Sequence, residues 1–213
     1  MSKYLRQSWS HSKAFRVILV VTVVYTVLRL VVQGVYLAMM LFPDQGMGEE
    51  LPEWVGAEGP MLPIDLQLYI DAAEHLQNRQ NLYPTSDQIE VYQYAPSYAL
   101  AFTPFLWLSP AAVAITHTLL HILAYSLLYI WWGRIFRRLN LEQASTMLAW
   151  TLPAWLIFSA FWSDLGYLNI YTIMALLGTL LIDAILGESL GWSLLWLSII
   201  LQIKPQWAFA AAV

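Results

Sequence analysis

Long apolar stretches separated by short polar segments are the main pattern in the chain. The first stretch, residues 17–41, contains 25 residues, more than the ~20 that a helix needs to cross a bilayer. It is also longer than the ~7–15-residue apolar core of a signal peptide, and no small-residue cleavage site follows it. We therefore predict an uncleaved first membrane span, in which Arg29 makes a packing or helix–helix contact.

Four later apolar stretches predict further membrane spans, at residues 111–133, 145–162, 170–186 and 192–206. Short polar turns at 163–169 and 187–191 separate the last three. Segment 97–108 is also apolar, but Pro104 interrupts it and it is too short to cross the membrane. We predict an interfacial or re-entrant segment there. The whole pattern predicts an all-α, polytopic transmembrane helix bundle that forms a single membrane domain.

A polar loop, residues 43–96, connects the first two spans and contains ten of the chain's fourteen acidic residues. Within it, apolar residues recur at 64, 68, 72 and 76, a helical spacing. Pro63 suits the first turn of a helix. We predict a short helix over 64–76 that lies on the membrane surface. At the other end, the chain stops in the apolar stretch 207–213, so we expect it to be the N-terminal part of a longer protein.

The distribution of charge predicts the orientation in the membrane. Four basic residues precede the first span and three follow the second, whereas the acidic loop contains only Arg79. Cytoplasmic loops are enriched in Lys and Arg. We therefore predict a cytoplasmic N-terminus, an extracytoplasmic loop and a location in the plasma or inner membrane. The basic residues on the predicted inner side are Lys3, Arg6, Lys13, Arg16, Arg134, Arg137 and Arg138.

Composition excludes several classes of function. The chain is 59% hydrophobic and 11% charged, against the ~25% charged residues of a soluble domain. Ten Lys and Arg residues without a basic stripe argue against a nucleic-acid partner, and a chain without cysteine forms no disulfide. Dinucleotide, P-loop and zinc-protease motifs are missing. His117 and His121 are four apart, but two ligands do not make a metal site, so we predict interhelical hydrogen bonds for them and neither metal nor cofactor.

The predicted topology collects polar side chains at the outer face. Asp65 and Tyr69 share one helix face. A carboxylate there can act as a general base, although aspartate is also common in the first turn of structural helices. Lys204, at the outer end of the fifth span, can bind a phosphate or extend to lipid headgroups. The Tyr-rich segment 83–98 fits either the wall of a sugar site or an interfacial aromatic belt. Other polar residues at this face are Asp71, His75, Arg79, Asp164 and Asn169.

Several motifs in this order resemble those of a known family. They are Asp65-Leu66-Gln67-Leu68-Tyr69-Ile70-Asp71-Ala72-Ala73, Leu82-Tyr83-Pro84, Tyr94-Ala95-Pro96, Gly166-Tyr167-Leu168-Asn169 and Ile203-Lys204-Pro205. The chain resembles the membrane glycosyltransferases of the GT-C superfold. Among them it is most similar to family eighty-seven, the polyprenol-phosphate-mannose-dependent mannosyltransferases. The resemblance covers about residues 15–210. Tyr167 stands where the family often has Gln.

The resemblance implies an inverting transferase that works on the extracytoplasmic face. The donor would be a hexose, in this family usually mannose, on a polyprenyl phosphate, and the acceptor a lipid or glycan hydroxyl. Asp65 matches the family's general base, and Lys204 matches the lysine near the donor phosphate. Tyr69, Tyr94 and Asn169 match motif positions that bind substrate or shape the site. The donor's anomeric carbon is already activated, so this chemistry requires no metal.

Two alternatives from other classes remain open at the level of sequence. A small transporter or channel would place polar residues opposite one another at mid-membrane depth and often has two related halves. Only Arg29 and the His117/His121 pair fit the first criterion, and no halves are evident. A non-catalytic scaffold of the cell envelope would tolerate the loss of Asp65 and Lys204. The transferase hypothesis requires those two side chains to line one site.

Overall fold

The computed structural model of the protein describes residues 2–42, 61–83 and 92–206, and all regular structure in these ranges is helical. The predictions made for 43–60, 84–91 and 207–213 lie outside the described residues. These include about half of the acidic loop, Pro84 and the apolar end of the chain. The helices are α1 Ser2–His11, α2 Lys13–Leu41, α3 Ile64–Gln77, α4 Pro96–Phe102, α5 Pro110–Arg138, α6 Glu142–Trp150, α7 Leu152–Leu156, α8 Ser159–Tyr167, α9 Tyr171–Leu186 and α10 Leu190–Ile203.

Two helices, α2 and α5, are long and apolar enough to cross a membrane, and α6–α8 gives a third if the bent segment is one span. Each begins or ends where the sequence provides a signal. Ser12 caps α2 by accepting from the Phe15 N–H at 3.1 Å, and Ser109 caps α5 in the same way. Most apolar side chains of α2 are exposed, as expected for a helix that faces lipid. The described part of the chain is therefore all-helical, with two or three candidate membrane spans.

The predicted fourth and fifth spans correspond to α9 and α10, which contain 16 and 14 residues. At 1.5 Å per residue these helices are about 24 and 21 Å long, shorter than the ~30 Å hydrocarbon core of a bilayer. They pack along each other, and α9 also packs along α5. The count of five spans stays a prediction.

The predicted third span, 145–162, is not one straight helix. The chain bends by 51° between α6 and the α7–α8 segment. Pro153 lies in the first turn of α7, where its missing N–H and its ring prevent continuation of the preceding helix. After α7, Phe158 adopts an extended conformation before α8 begins.

The polar turn predicted at 163–169 is wrong for most of its length. Helix α8 continues through this segment to Tyr167, and only residues 168–170 form the turn. The polar Asp164 is accommodated inside the helix because its Oδ2 accepts from the Thr172 N–H at 2.9 Å, in the first turn of α9. A carboxylate placed there satisfies a helix N-terminus and complements its dipole.

The core lies where α3, α4, α5, α8, α9 and α10 meet. Helix α3 confirms the predicted helix. Its fully buried residues, however, lie on a different face from the predicted apolar positions 64, 68, 72 and 76. Leu66, Tyr69 and Ala73 are completely or almost completely buried, whereas Ile64 is exposed. Segment 97–108 forms α4 followed by a 3₁₀ turn, Thr103–Trp107, with Pro104 at its start.

Candidate functional site

The five predicted site residues form one cluster, centred on the side chain of Asn169. Its Nδ2 donates to Oδ2 of Asp65 at 2.9 Å. Its Oδ1 accepts from the Ile170 N–H at 2.7 Å and from the Tyr69 hydroxyl at 3.3 Å. Because two donors point at the amide oxygen, the amide nitrogen must face the carboxylate. Asn169 therefore holds Asp65 in one orientation.

A chain of hydrogen bonds extends from this amide into a group of buried tyrosines. The Tyr69 and Tyr94 hydroxyls are 3.0 Å apart. A phenol has one hydrogen, and that of Tyr69 is directed at Asn169, so Tyr94 donates to Tyr69. The sequence of donors is Tyr94, Tyr69, Asn169, and the carboxylate of Asp65 is the final acceptor. Linked bonds of this kind polarise one another and stabilise the ionised end of the chain.

Lys204 contributes a buried positive charge beside the tyrosines. Its Nζ lies 4.7 Å from the ring centre of Tyr94 and 4.2 Å from that of Tyr171, both within cation–π range. It donates one hydrogen bond, to the Tyr171 hydroxyl at 3.2 Å. The side chain is only 7% exposed. No carboxylate in the described residues lies within ion-pair distance of it, so two of its three N–H donors remain available there.

Backbone contacts bring these distant residues together. The Ala95 N–H donates to the Ile203 carbonyl at 3.2 Å, and the Ser97 hydroxyl donates to the Gln202 carbonyl at 2.7 Å. These bonds join the start of α4 to the end of α10, which places Tyr94 against Lys204. On the opposite side, Leu168 adopts a left-handed conformation with φ of 53° and turns Asn169 towards α3.

The tyrosines form a packed wall rather than an exposed interfacial belt. Tyr69 makes edge-to-face contacts with Tyr94 and Tyr98, each at 5.1 Å between ring centres. Burial raises the pKa of Tyr94 to about 12 and raises the pKa of Tyr69 further above its ordinary value. These phenols therefore stay protonated near neutral pH and act as hydrogen-bond donors. Only Tyr83, at the edge of the wall, is exposed.

Asp65 is the carboxylate of the cluster. It lies in the first turn of α3 and is partly accessible. Desolvation raises the pKa of its carboxyl above the ordinary value, while the hydrogen bond from Asn169 lowers it; the charges of Asp164 and Lys204 act in opposite directions. A partly accessible carboxylate with a raised pKa is a stronger base than a solvated one.

A second layer behind Asn169 was not predicted from the sequence. His121 is fully buried on α5, with Nδ1 next to the His117 carbonyl and Nε2 next to the Asn169 carbonyl. A neutral imidazole has one N–H and donates it to one of these two carbonyls. Nε2 of His121 is also 3.7 Å from Oδ2 of Asp164. The interhelical bonds predicted for this histidine pair take a different form, because His121 reaches the α8–α9 turn and Nδ1 of His117 has no hydrogen-bond partner in the described residues. The spacing of His121 from His117 was the only sequence signal, and nothing in the sequence linked either residue to Asn169.

A cavity of about 450 Å³ borders the cluster on the α8–α9 side. Asn169, Asp164 and Tyr171 line it, together with mostly apolar side chains from α5, α8 and α9. Oδ1 of Asp164 is buried and has no hydrogen-bond partner in the described residues. The cavity is of ordinary size for a small-molecule site. Asp65 and Lys204 are outside its lining, so the amide of Asn169 separates this space from the carboxylate.

Other polar residues predicted at the outer face lie outside the cluster. Asp71 accepts from Gln67 Nε2 at 2.6 Å on the surface of α3. Asp183, near the end of α9, is buried and paired with arginines at the far end of the bundle. It accepts from Arg138 at 2.8 Å and from the Trp131 indole at 3.1 Å, and Arg134 is 3.3 Å away.

The chain matches no protein-family profile, and neither curated proteins nor solved structures give a significant match.

Proposed function

We propose that the protein is an integral membrane glycosyltransferase. It transfers a hexose from a polyprenyl-phosphate donor to an acceptor hydroxyl on the extracytoplasmic face, with inversion at the anomeric carbon. The proposal rests on one observation. Asp65 and Lys204 are 139 positions apart in the chain, yet both lie in the cluster around the Asn169–Tyr69–Tyr94 hydrogen bonds. A general base and a cation beside one hydrogen-bond network are the two groups that this reaction needs.

The proposed step uses the ionised carboxylate of Asp65. The acceptor hydroxyl loses its proton to Asp65 as its oxygen bonds to the anomeric carbon. The bond between that carbon and the phosphate oxygen breaks on the opposite face, which inverts the configuration. Asn169 keeps one carboxylate oxygen bonded and directs the other oxygen to the acceptor. Proton transfer by a positioned base contributes typically 10²–10⁴-fold to a rate.

Lys204 supports the leaving group. Breaking the sugar–phosphate bond converts a phosphodiester with one negative charge into a phosphomonoester with up to two. An ammonium group with two available N–H donors, held between two tyrosine rings, stabilises that charge as it develops. A buried ammonium without a carboxylate partner is costly, and a bound phosphate offsets that cost.

The proposal is tested by label transfer with a matched pair of aspartate variants. Purified protein in nanodiscs is incubated with radiolabelled polyprenyl-phosphate hexoses and with envelope lipid extract. Asp65→Asn is expected to reduce transfer by at least about 10²-fold, because the amide cannot take a proton. Asp71→Asn lies on the same helix, and the Asp71 carboxylate is bonded to Gln67 outside the cluster. It is expected to retain transfer.

Each other outcome has a definite meaning. Transfer that persists in Asp65→Asn would keep the enzyme and remove Asp65 as its base. Absence of transfer from every donor by the folded wild-type protein would overturn the proposal and favour a transporter, channel or envelope scaffold.

A further inference from the structure

A second polar feature lies in the membrane region, away from the site described above. Helices α2 and α8 enclose a groove of about 440 Å³. On α2, the lining residues recur at helical spacing, so that one stripe of an otherwise apolar helix is polar. A matching stripe on α8 faces it. The polar lining residues are Tyr25, Arg29, Gln33 and Tyr36 on α2, and Ser159, Ser163 and Tyr167 on α8.

Arg29 is the dominant charge in this groove. It lies near the middle of α2, the most apolar long helix of the chain, and its side chain is exposed. Its guanidinium carbon lies 5.6 Å from the ring centre of Trp162. No carboxylate in the described ranges is within ion-pair distance of it. An arginine at membrane depth is costly and pairs with an anion or with other polar groups.

The shape of the groove favours a phosphate as that anion. Its volume suits a small headgroup, whereas a neighbouring helix about 10 Å across would not enter it. The guanidinium can bind a phosphate through two parallel N–H bonds, and serine and tyrosine hydroxyls can bond its other oxygens. Gln33 already donates to the Leu165 carbonyl at 3.5 Å, so the two walls are tied together without closing the groove.

Access to the groove is from the lipid. Only 11% of the most apolar part of α2 is buried inside the protein, which leaves the groove beside a lipid-facing surface. Ser163 and Tyr167 line both this groove and the 450 Å³ cavity next to Asn169. A lipid bound at Arg29 would thus sit one helix away from the candidate site.

We propose that the groove between α2 and α8 binds the phosphate headgroup of an anionic membrane lipid, with Arg29 as its main ligand. The lipid enters sideways from the bilayer. This site does not depend on the proposed transferase activity, since Lys204 and Asp65 lie outside its lining.

The test measures lipid retained by the purified protein with native mass spectrometry. The probes are phosphatidylglycerol, polyprenyl monophosphate and zwitterionic phosphatidylcholine, each supplied in nanodiscs of that composition. Wild-type protein is expected to retain one or both anionic lipids and not phosphatidylcholine. Retention of phosphatidylglycerol identifies a bulk phospholipid as the source, and selective retention of polyprenyl monophosphate identifies a prenyl carrier.

Three variants separate the charge from the shape of the groove. Arg29→Gln is expected to lower retention about tenfold, because it removes a charge-assisted double hydrogen bond. Ser159→Leu keeps the charge but fills the groove, and is expected to lower retention similarly. Arg79→Gln removes an exposed arginine outside the groove and is expected to change nothing.

Two results would overturn the proposal. One is unchanged retention in both Arg29→Gln and Ser159→Leu. The other is a wild-type protein that retains phosphatidylcholine as well as either anionic lipid. Circular dichroism of each variant shows whether a loss of retention reflects lost folding. If Arg29→Gln is unfolded, Ser159→Leu decides the test.

Discussion

At the scale of single residues, the ionisation of Asp65 controls whether the candidate site can accept a proton. Desolvation raises the pKa of this carboxyl, and only the ionised form is a base. Activity should therefore fall as pH drops through a value above the ordinary aspartate range. The hydrogen bond from Asn169 lowers this pKa. Asn169→Ala is thus expected to move the acid limb of the pH–rate profile to higher pH, measured as residual transfer.

Asn78→Ala provides the matched control for that shift. Asn78 ends α3 in an exposed position and takes no part in the cluster. The pH–rate profile of Asn78→Ala should match that of the wild-type protein. An acid limb that stays in place in Asn169→Ala would show that another group titrates.

The buried hydroxyl of Tyr69 has hydrogen-bond partners, whereas that of Tyr98 has none in the described residues. Replacement by phenylalanine should therefore change the free energy of unfolding differently at the two positions. Tyr69→Phe keeps the ring packing but removes the bonds to Asn169 and Tyr94. It should cost about 1–3 kcal/mol of unfolding free energy. The Tyr98 hydroxyl is buried without a partner in the described residues, so Tyr98→Phe should be neutral or stabilising. Denaturant unfolding in mixed micelles measures both, and an equal loss in the two variants would contradict the assigned network.

The sequence located the five cluster residues but not the contacts between them. Asp65 and Tyr69 could be placed on one face because helical spacing is local. The bonds from Asn169 to Asp65 and from Tyr69 to Asn169 span 104 and 100 positions, which no local pattern encodes. His121 was missed as the support of Asn169 for the same reason.

At the scale of elements, the α8–α9 turn depends on one unusual backbone conformation. Leu168 is buried and left-handed, whereas Leu165 is buried within helix α8. Non-glycine residues pay about 1–2 kcal/mol in the left-handed region, but glycine costs about 1 kcal/mol more than alanine within a helix. We therefore expect Leu168→Gly to be more stable than Leu168→Ala by about 1 kcal/mol, and Leu165→Gly to be less stable than Leu165→Ala.

All four of these variants delete a buried leucine side chain, so the cost of the cavity largely cancels within each pair. The measurement is unfolding free energy in one micelle system. The same order of Gly and Ala at both positions would contradict the conformation assigned to Leu168.

Hydropathy predicted some elements well and others poorly. The long apolar runs predicted α2 and α5, with the end of α2 and the start of α5 within one residue, although α2 begins earlier and α5 ends later than predicted. Helix α3 follows from its spacing. Hydropathy did not predict the break at Pro153 or the continuation of helix α8 through Asp164. Residues 145–170 are mostly apolar and contain one charged residue, Asp164. Its carboxylate is bonded to the start of α9, a contact beyond any local window.

At the scale of the whole molecule, two basic segments of the chain, helix α1 and the end of α5, lie at one end of the bundle. Helix α1, which carries Arg6, packs against α6, and Phe15 contacts Trp150 with ring centres 5.0 Å apart. Helix α6 follows directly after the Arg-rich end of α5. The N-terminus and the α5–α6 junction therefore share one side, which the positive-inside tendency assigns to the cytoplasm. The cluster around Asn169 belongs to the other end.

Because the chain contains no cysteine, single cysteines can report this orientation without background. Gln7, Gln77 and Gln143 are exposed polar residues on α1, α3 and α6. A membrane-impermeant maleimide applied to intact cells is expected to label Gln77→Cys. It should label Gln7→Cys and Gln143→Cys only after permeabilisation. Labelling of Gln7→Cys and Gln143→Cys in intact cells, with Gln77→Cys protected, would show that the protein has the opposite orientation in the membrane. The Asp65 carboxylate would then face the cytoplasm, where an extracytoplasmic acceptor could not reach it.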